Sequence, residues 1–304
     1  MIKIIFLGTS YAIPSSERNH TSVLLNYKGE NILVDCGEGT QRQFRKAKLN
    51  PCKLTRILIT HWHGDHVLGI PGILQTLSLN GYNKTLFIYG PKGTKYLMKQ
   101  LVDIFNFKLN YKIKIEEISG KKRFFETDDF CIESESMTHG VLCNAYSFIK
   151  KGRIRIDKNK LKKNKLPQGA FLKKLKEGKN IVYEGKKYLA KNLTFKEQDK
   201  KISFVYDTSF NGKIKGFVNG SDLLICEATF DSELEEMAKK KKHLTAGQSG
   251  KIAKQSKSKK LILTHISERY SKNVSKLLKD AKKNFKNVSV ANDFDVIKIW
   301  IETF

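Results

Sequence analysis

Three histidines and one aspartate lie within six residues, directly after a mostly apolar stretch of the chain. They are His61, His63, Asp65 and His66, and residues 57–60 before them are rich in β-branched side chains, which predicts a short buried strand. Neutral imidazole and carboxylate groups suit zinc and similar divalent metals. A strand would deliver this cluster at its carboxyl end, where open α/β sheets place their sites. The alternative is a loop with chance histidines, which would crowd costly polar groups unless a metal satisfied them.

The pattern His-x-His-x-Asp-His resembles the signature of the metallo-β-lactamase superfamily, in which the motif supplies ligands to two metals. One cluster cannot complete two sites, so other parts of the chain must supply further ligands. Apolar strands are also predicted directly before His139, Asp207 and His265. Parallel placement would gather these strand ends with His61 at one edge of a sheet, which predicts a dinuclear site. A lone histidine is more often a core or surface residue, but the position of His139 between a strand and Gly140 favours a ligand.

Two further polar residues near strand ends each have more than one interpretation. Asp35 ends a predicted strand and is either a strand-end cap or a hydrogen-bond partner of a metal ligand. His243 could be a ligand, a proton donor, or a cap near the start of a helix that residues 249–254 could form.

Length and composition exclude several classes of protein. The chain has 304 residues, enough for one large domain or two modest ones, and its hydrophobic content of 40% indicates a globular rather than a disordered chain. It contains neither an apolar run of membrane-spanning length nor a signal peptide. The five cysteines are odd in number and none form a CxxC pair, which favours core residues in a reducing compartment, and we expect the protein in the cytoplasm.

The net charge of +27 indicates a polyanionic partner, and nucleic acid is the first candidate. The alternative is a lysine-rich genome or a hot or salty habitat, because lysine far outnumbers arginine. Residues 150–200 are crowded with lysine and show no regular apolar period of useful length. This segment is therefore predicted to be a basic insertion that grips a phosphate backbone, with a disordered lysine-rich loop as the alternative.

The remaining pattern predicts a mixed α/β chain that opens with strands, including a hairpin around Gly29. A helix is predicted from His66, interrupted at Pro71-Gly72 and ending near Gly81. Other elements are predicted in this order: strands over residues 2–7, 21–27 and 31–35, a helix through 44–48, a strand over 86–89, a helix over 94–105, and a final strand over 294–300.

Nearly end to end, the chain resembles the RNase Z (tRNase Z) family in its short form. Four stretches carry the resemblance: Phe6-Leu7-Gly8-Thr9-Ser10 with Glu17-Arg18-Asn19, the loop Asp35-Cys36-Gly37-Glu38-Gly39-Thr40-Gln41, Pro51-x-Lys53-x-Thr55, and His243-Leu244-Thr245-Ala246. The mid-chain basic segment adds to it, with Gly169-Ala170 where the family usually has a Gly-Pro pair. Together these features are far more specific than the superfamily signature alone.

The resemblance implies the metallo-β-lactamase αββα sandwich, with two packed sheets, helices outside, and a flexible basic arm, or exosite, at about residues 150–195 of one domain. It implies two zinc ions, with manganese or other divalent ions as alternatives. The implied ligands are His61, His63 and His139 for one ion, Asp65, His66 and His265 for the other, and Asp207 as a bridge. Family members commonly form homodimers, in which the arm of one subunit serves the tRNA of the other.

The implied activity is removal of the 3′ trailer from precursor tRNA, by a cut after the discriminator nucleotide that leaves a tRNA 3′-hydroxyl and a 5′-phosphate on the trailer. Asp65 would accept the proton of the attacking water, and His243 would be the general acid, oriented by Glu227. The substrate-binding residues would be Lys53 and Thr55 at the tRNA 3′ end, Gly169 in the arm, and Thr245, which either binds phosphate or caps the next helix.

Two other functions compete with this interpretation. One is a hydrolase of the same fold that acts on a small phosphodiester, thioester or lactam, which would need neither the high charge nor the basic arm. The other is a non-enzymatic RNA-binding protein with a decayed site. Decay should have removed at least one ligand, and all seven are present in this sequence.

Overall fold

The computed structural model describes residues 1–105 and 107–300. The strands, in chain order, are β1 (Ile2–Gly8), β2 (Ser22–Tyr27), β3 (Glu30–Val34), β4 (Arg56–Leu58), β5 (Leu86–Gly90), β6 (Ile113–Glu117), β7 (Lys122–Glu126), β8 (Phe130–Met137), β9 (Cys143–Lys150), β10 (Ile154–Ile156), β11 (Ile181–Tyr183), β12 (Lys186–Tyr188), β13 (Thr194–Lys196), β14 (Lys200–Val205), β15 (Leu223–Glu227), β16 (Leu261–Thr264), β17 (Val288–Val290) and β18 (Val296–Ile299).

The α-helices, in the same order, are α1 (Thr40–Lys46), α2 (Gly64–Val67), α3 (Ile70–Leu79), α4 (Thr94–Ile104), α5 (Lys158–Lys163), α6 (Phe171–Lys176), α7 (Ala190–Leu193), α8 (Gly212–Phe217), α9 (Glu235–Lys241), α10 (Ala246–Gln255) and α11 (Ser275–Lys282). Short 3₁₀ helices cover Pro51–Lys53, Ser232–Leu234 and Glu268–Tyr270. The predicted mixed α/β class is therefore confirmed.

Two seven-stranded sheets organise the larger part of the chain. One has the order β18-β1-β2-β3-β4-β5-β6, and the other has the order β17-β16-β15-β14-β9-β8-β7. In the first sheet β3 to β6 run parallel, and in the second β14 to β17 do. The predicted hairpin joins β2 to β3, and its turn residues Lys28 and Gly29 have φ values of 50° and 94°, as the tight hairpin turn requires.

The two sheets pack face to face, with helices on their outer faces. Across the shared face, the Tyr146 hydroxyl donates to the Ile59 carbonyl at 2.7 Å, and the rings of Tyr27 and Phe148 lie 5.5 Å apart. Alternate strand residues point outward into two further cores, one beneath α1, α3 and α4 and the other beneath α8, α10 and α11. The predicted αββα sandwich is therefore confirmed. Each sheet buries one face against the other sheet and its other face against a layer of helices.

The helix after the histidine cluster differs from its prediction. The break falls between α2 and α3, at Leu68 and Gly69, and Pro71 lies in the first turn of α3, where its missing amide costs nothing. A Cβ on Gly69 would lie 2.1 Å from the Gly37 carbonyl oxygen, and the Gly69 amide donates to Cys36. The prediction of an interruption at Pro71-Gly72 was wrong because the close approach at Gly69, not proline, ends the first helix.

A second compact unit comprises Glu126–Cys131 and Ile149–Lys200, and the rest of the described chain forms the first. The second unit contains β10 to β13 and α5 to α7, and it has its own apolar core, formed by Leu161, Leu166, Leu175, Ile181, Ala190 and Leu193. The alternative of a disordered loop is therefore wrong. Ala170, at the position of the family's usual proline, has φ of −56°, a value that proline also adopts.

Residues 149–200 contain 18 lysines and arginines and 5 aspartates and glutamates, which leaves this segment a net charge of +13. Nearly half of the total charge of +27 is thus concentrated in about a sixth of the chain. Among the described residues, no helix combines the length and the apolar character needed to cross a bilayer. All five cysteines are free thiols, and four of them are buried.

Candidate metal centre

Seven residues with side chains that can bind a metal lie close together, at or just after the ends of strands from both sheets. His61 and His63 follow β4 of the first sheet, and Asp65 and His66 lie in α2 directly after them. The second sheet contributes the other three, which follow β8, β14 and β16: His139, Asp207 and His265. The prediction that parallel strands gather them at one edge of one sheet was wrong, because the facing edges of two packed sheets contribute.

The first group of donor atoms contains three imidazole nitrogens and one carboxylate oxygen. His63 Nδ1 lies 3.0 Å from His61 Nε2 and 3.3 Å from His139 Nε2. Oδ2 of Asp207 lies 3.5 Å from His61 Nε2 and 3.6 Å from His139 Nε2. These four atoms therefore surround one point.

The second group has two imidazole nitrogens and one carboxylate oxygen, with a further carboxylate oxygen beside the two nitrogens. Oδ2 of Asp65 lies 3.3 Å from His66 Nε2 and 3.5 Å from His265 Nε2, and the two nitrogens are 3.2 Å apart. The other oxygen of Asp207, Oδ1, lies 3.1 Å from His265 Nε2 and 3.5 Å from His66 Nε2. Asp207 thus presents one oxygen to each group.

Neighbouring donor atoms in both groups are spaced as the ligands of one metal ion are. Zinc bonds of 2.0–2.1 Å give a tetrahedron whose edge is about 3.4 Å, and the donor-to-donor distances above run from 3.0 to 3.6 Å. Oδ1 of Asp207 is buried and accepts no hydrogen bond from the described residues, which a buried carboxylate oxygen rarely tolerates without a cation. The residues present therefore fit two divalent metal ions with a shared carboxylate.

Asp35 contacts one histidine of the second ligand group directly and one histidine of the first group through Thr60. Its Oδ1 accepts the Thr60 amide at 2.7 Å, and its Oδ2 accepts the Thr60 hydroxyl and His66 Nδ1, each at 2.7 Å. The Thr60 hydroxyl lies 3.1 Å from His61 Nδ1. Asp35 is thus a hydrogen-bond partner of the ligand-type His66.

Glu227, fully buried at the end of β15, makes the corresponding contacts on the other side. Its Oε1 accepts the Thr208 amide at 2.7 Å, and its Oε2 accepts the Thr229 hydroxyl at 2.7 Å and His243 Nδ1 at 3.0 Å. The Thr229 hydroxyl lies 3.0 Å from His265 Nδ1. His243 Nδ1 is 3.9 Å from Asp207, so the ring stands beside the ligand groups with its Nδ1 directed to Glu227.

Burial and neighbouring carboxylates shift the pKa values of the histidines in different directions. Burial lowers the pKa of His61 well below its ordinary value, which keeps the imidazole neutral as a ligand must be. Burial also lowers the pKa of His66, but the carboxylates of Asp207, Asp35 and Asp65 outweigh burial and raise the pKa well above normal. That excess of negative charge is what a divalent cation would balance. Burial lowers the pKa of His243 too, yet Glu227 and Asp207 raise it to about 9, which favours a protonated ring.

Two contacts at the site lie outside the sequence predictions. The ring of Tyr11 packs edge-on against His243 and His265, with centroid distances of 5.2 and 5.3 Å. Tyr11 follows β1, whose carboxyl end lies at the same edge as that of β4, so its position after a strand was the available signal. The Lys242 carbonyl lies 3.0 Å from His139 Nδ1 and orients that ring.

The predicted substrate-binding residues are not among the ligand groups, and two of them have hydrogen-bond partners within the protein. Lys53 and Thr55 precede β4, whereas the histidine cluster follows it, and the Thr55 hydroxyl donates to Glu30 at 2.7 Å. Thr245 is buried and caps α10, because its hydroxyl accepts the amide of Gln248 in a capping box. Of its two interpretations, the geometry matches the cap. Gly169 is exposed in the second compact unit.

Several known proteins are similar to this chain. A family model described as Anti-Pycsar protein Apyc1 matches residues 2–138, less than half of the chain. Ribonuclease Z of Nanoarchaeum equitans is 37% identical over 97% of this chain and 92% of its own length. The crystal structure of human tRNase Z, short form, has a TM-score of 0.73 and 26% identity, and the match covers 98% of this chain and all of that one. The metallo-β-lactamase fold protein YhfI from Bacillus subtilis has the same fold, with a TM-score of 0.71, 19% identity, and coverage of 97% and 98%.

Proposed function

This chain belongs to the ribonuclease Z family, and we propose that it removes the 3′ trailer of precursor tRNA by hydrolysis of one phosphodiester bond. The cut falls after the discriminator nucleotide and leaves a 3′-hydroxyl on the tRNA and a 5′-phosphate on the trailer. The observation that carries the proposal is the pair of ligand groups between which Asp207 lies, with one oxygen close to the histidine nitrogens of each. These residues could hold two divalent ions, and such a pair would suit in-line displacement at phosphorus.

Divalent metal dependence follows from the family and from the donor set, and we propose two zinc ions. Their ligands are His61, His63 and His139 for one ion, Asp65, His66 and His265 for the other, and the bridging Asp207. Three imidazoles and one carboxylate form a donor set that zinc prefers, although manganese and other divalent ions tolerate the same ligands.

The residues of the chain itself handle the two proton transfers. When bound, the divalent ions supply positive charge at the scissile phosphate and make a water molecule more acidic. Asp65 accepts the proton of the attacking water. His243 donates a proton to the leaving 3′-oxygen of the tRNA, and Glu227 holds the ring by its Nδ1, so that Nε2 carries the transferred proton.

We expect the wild-type chain, with zinc, to cut a labelled precursor tRNA once, after the discriminator nucleotide. The measurement is a mapping of the cut site and of both end groups, and a 3′-hydroxyl on the tRNA fragment is required. The variant Asp65→Ala should lose the cut, because it removes a ligand and the proton acceptor. No cut by the wild type, together with good turnover of a small phosphodiester, would instead identify a small-molecule hydrolase of the same fold.

The second compact unit is proposed as the surface that grips tRNA. Residues 149–200, which form most of this unit, have a net charge of +13, and this supports the role, because cationic side chains bind RNA phosphates by releasing counterions. The exposed Gly169 lies in a lysine-rich part of this unit, which supports a contact near the RNA backbone. Lys53 is also exposed and remains available to a tRNA 3′ end, although Thr55 uses its hydroxyl within the protein.

Removal of residues 154–196 should weaken precursor binding and spare the hydrolysis of a small phosphodiester. The ends of this deletion are adjacent, since the Glu197 amide donates to the Arg153 carbonyl at 3.0 Å, so a short glycine linker can join them. The salt dependence of tRNA binding should fall by about 0.7–0.9 in log–log slope for each RNA phosphate that the shortened protein no longer neutralises.

A charge-only variant serves as the matched control for this deletion. Glutamine at the exposed Lys173, Lys174 and Lys176 keeps the unit folded and should lower the same salt slope by a smaller amount. If the deletion reduces turnover of both substrates equally, the unit supports the catalytic fold and does not grip RNA.

We also propose a homodimer in the cytoplasm. Large apolar side chains on α3 and α4 are exposed, among them Leu79 at 81% and Ile104 at 73%, and a partner subunit could cover them. Five free thiols support a reducing compartment. Light scattering of the purified protein would determine the oligomeric state.

A further inference from the structure

Asp35 and Glu227 accept the same set of three hydrogen bonds, although they lie in different sheets. Each accepts a backbone amide on one oxygen, and a threonine hydroxyl together with a histidine Nδ1 on the other. The hydroxyls belong to Thr60 and Thr229, both fully buried. Each hydroxyl also lies within 3.1 Å of a second histidine, His61 or His265. The pattern occurs twice, once beside each ligand group.

Counting protons fixes the direction of these hydrogen bonds. An ionised carboxylate only accepts, so each threonine donates its single hydroxyl proton to it at 2.7 Å, which for Thr229 is closer than the His265 carbonyl at 3.2 Å. The hydroxyl oxygen can then only accept from the neighbouring imidazole. His61 and His265 must therefore carry a proton on Nδ1, which leaves Nε2 as an unprotonated donor atom directed at its ligand group.

We propose that Thr60 and Thr229 are positioning residues that set the tautomer of one ligand in each metal group. Thr60 prepares His61 in the group that contains His63, and Thr229 prepares His265 in the group that contains Asp65. This inference rests on the proposed dinuclear site and deepens it. Its consequence is that each hydroxyl controls the affinity of one metal ion and leaves the other largely unchanged.

The first test measures tautomers in the metal-free wild-type protein labelled with ¹⁵N-histidine. Long-range ¹H–¹⁵N correlation spectra above pH 8 should show His61 and His265 protonated at Nδ1 and not at Nε2. Chelation of metal beforehand is essential, because a bound ion would impose the same tautomer by itself. A proton on Nε2 of either ring, or an averaged mixture of tautomers, would overturn the proposal. This measurement needs no variant, so it does not depend on the folding of one.

The second test removes each hydroxyl with the near-isosteric substitutions Thr60→Val and Thr229→Val. Loss of an orienting partner typically weakens metal affinity about 10- to 100-fold. Zinc affinities would be measured by competition with a chromophoric chelator, and anomalous diffraction at limiting zinc would give the occupancy of each site separately. Thr60→Val should empty the His61 site first, and Thr229→Val should empty the His265 site first.

The matched control is Thr264→Val, one residue before His265. The Thr264 hydroxyl is buried and has no hydrogen-bond partner among the described residues, so its replacement by a methyl group should leave both zinc affinities at the wild-type value. Thr229→Ser, which keeps the hydroxyl, should restore the affinity lost in Thr229→Val.

The outcomes distinguish this proposal from the proposed function. Wild-type protein that binds no zinc would refute the dinuclear site. The tautomer measurement on the metal-free protein would still test whether Thr60 and Thr229 set the tautomers of His61 and His265. Wild-type protein that binds two ions, with valine variants that lose neither or lose both equally, would refute the assignment of one hydroxyl to each ion.

Discussion

Asp207→Ala should reduce cleavage of precursor tRNA by at least about 10³-fold and remove both metal ions. Each ligand group loses a carboxylate oxygen, because Oδ2 lies in one group and Oδ1 lies beside the histidine nitrogens of the other. Metal-ion catalysis supplies several kcal/mol of transition-state stabilisation, and each ~1.4 kcal/mol corresponds to a factor of ten in rate. The measurements are metal content by mass spectrometry and initial rates on precursor tRNA and on a nitrophenyl phosphodiester.

The same substitution at the exposed Asp103 is the control, and it should leave metal content and both rates unchanged. Circular dichroism should show that Asp207→Ala keeps its secondary structure, since the substitution removes no apolar packing. If Asp207→Ala retained two metals, the bridging assignment would be wrong. If it lost a single metal, Asp207 would serve only one of the two groups.

His243→Ala should reduce cleavage of precursor tRNA by at least about 100-fold while both metals stay bound. General acid catalysis by a positioned side chain contributes about 10²–10⁴-fold. His243 Nδ1 is hydrogen-bonded to Glu227, and His243 belongs to neither of the two ligand groups described above. A nitrophenyl phosphodiester has a leaving group that departs without a proton. The variant should therefore lose much less activity on that substrate than on tRNA.

His63→Ala provides the contrast, because the same truncation at a ligand-type histidine should lose metal and both activities. Donor atoms of Asp207, His243 and His265 also lie close enough together to hold an ion. The metal content of His243→Ala therefore distinguishes a ligand from a proton donor. Loss of metal from His243→Ala would identify His243 as a ligand. Equal losses on the two substrates with metal retained would exclude its role as the acid.

The sequence predicted those parts of the site whose geometry is local. His61, His63, Asp65 and His66 are close in sequence, so a strand followed by a short helix is enough to bring their side chains together. Asp207 is remote in sequence and was predicted instead from its position after an apolar strand. The origin of the ligands in two sheets could not be read from the sequence, because strand order depends on pairings between distant segments.

The errors have physical reasons of the same kind. Leu161, Leu175 and Ile181 form a core from helices and strands of only three to six residues, too short to produce a detectable period. The position of Tyr11 depends on pairing with Ile266, more than 250 residues away. Lys53 lies close to the histidines in sequence, but β4 separates the two segments.

The origin of the ligands in both sheets also links metal supply to the folding equilibrium. The first and last donor residues, His61 and His265, are 204 positions apart, so an unfolded chain does not present them together. Ions that bind only the native state stabilise it by about 2.7 kcal/mol when the free ion exceeds its Kd 100-fold. Divalent ions held by residues of both sheets would therefore also stabilise the packing of the sheets, and metal depletion would lower the free energy of unfolding as well as the rate of hydrolysis.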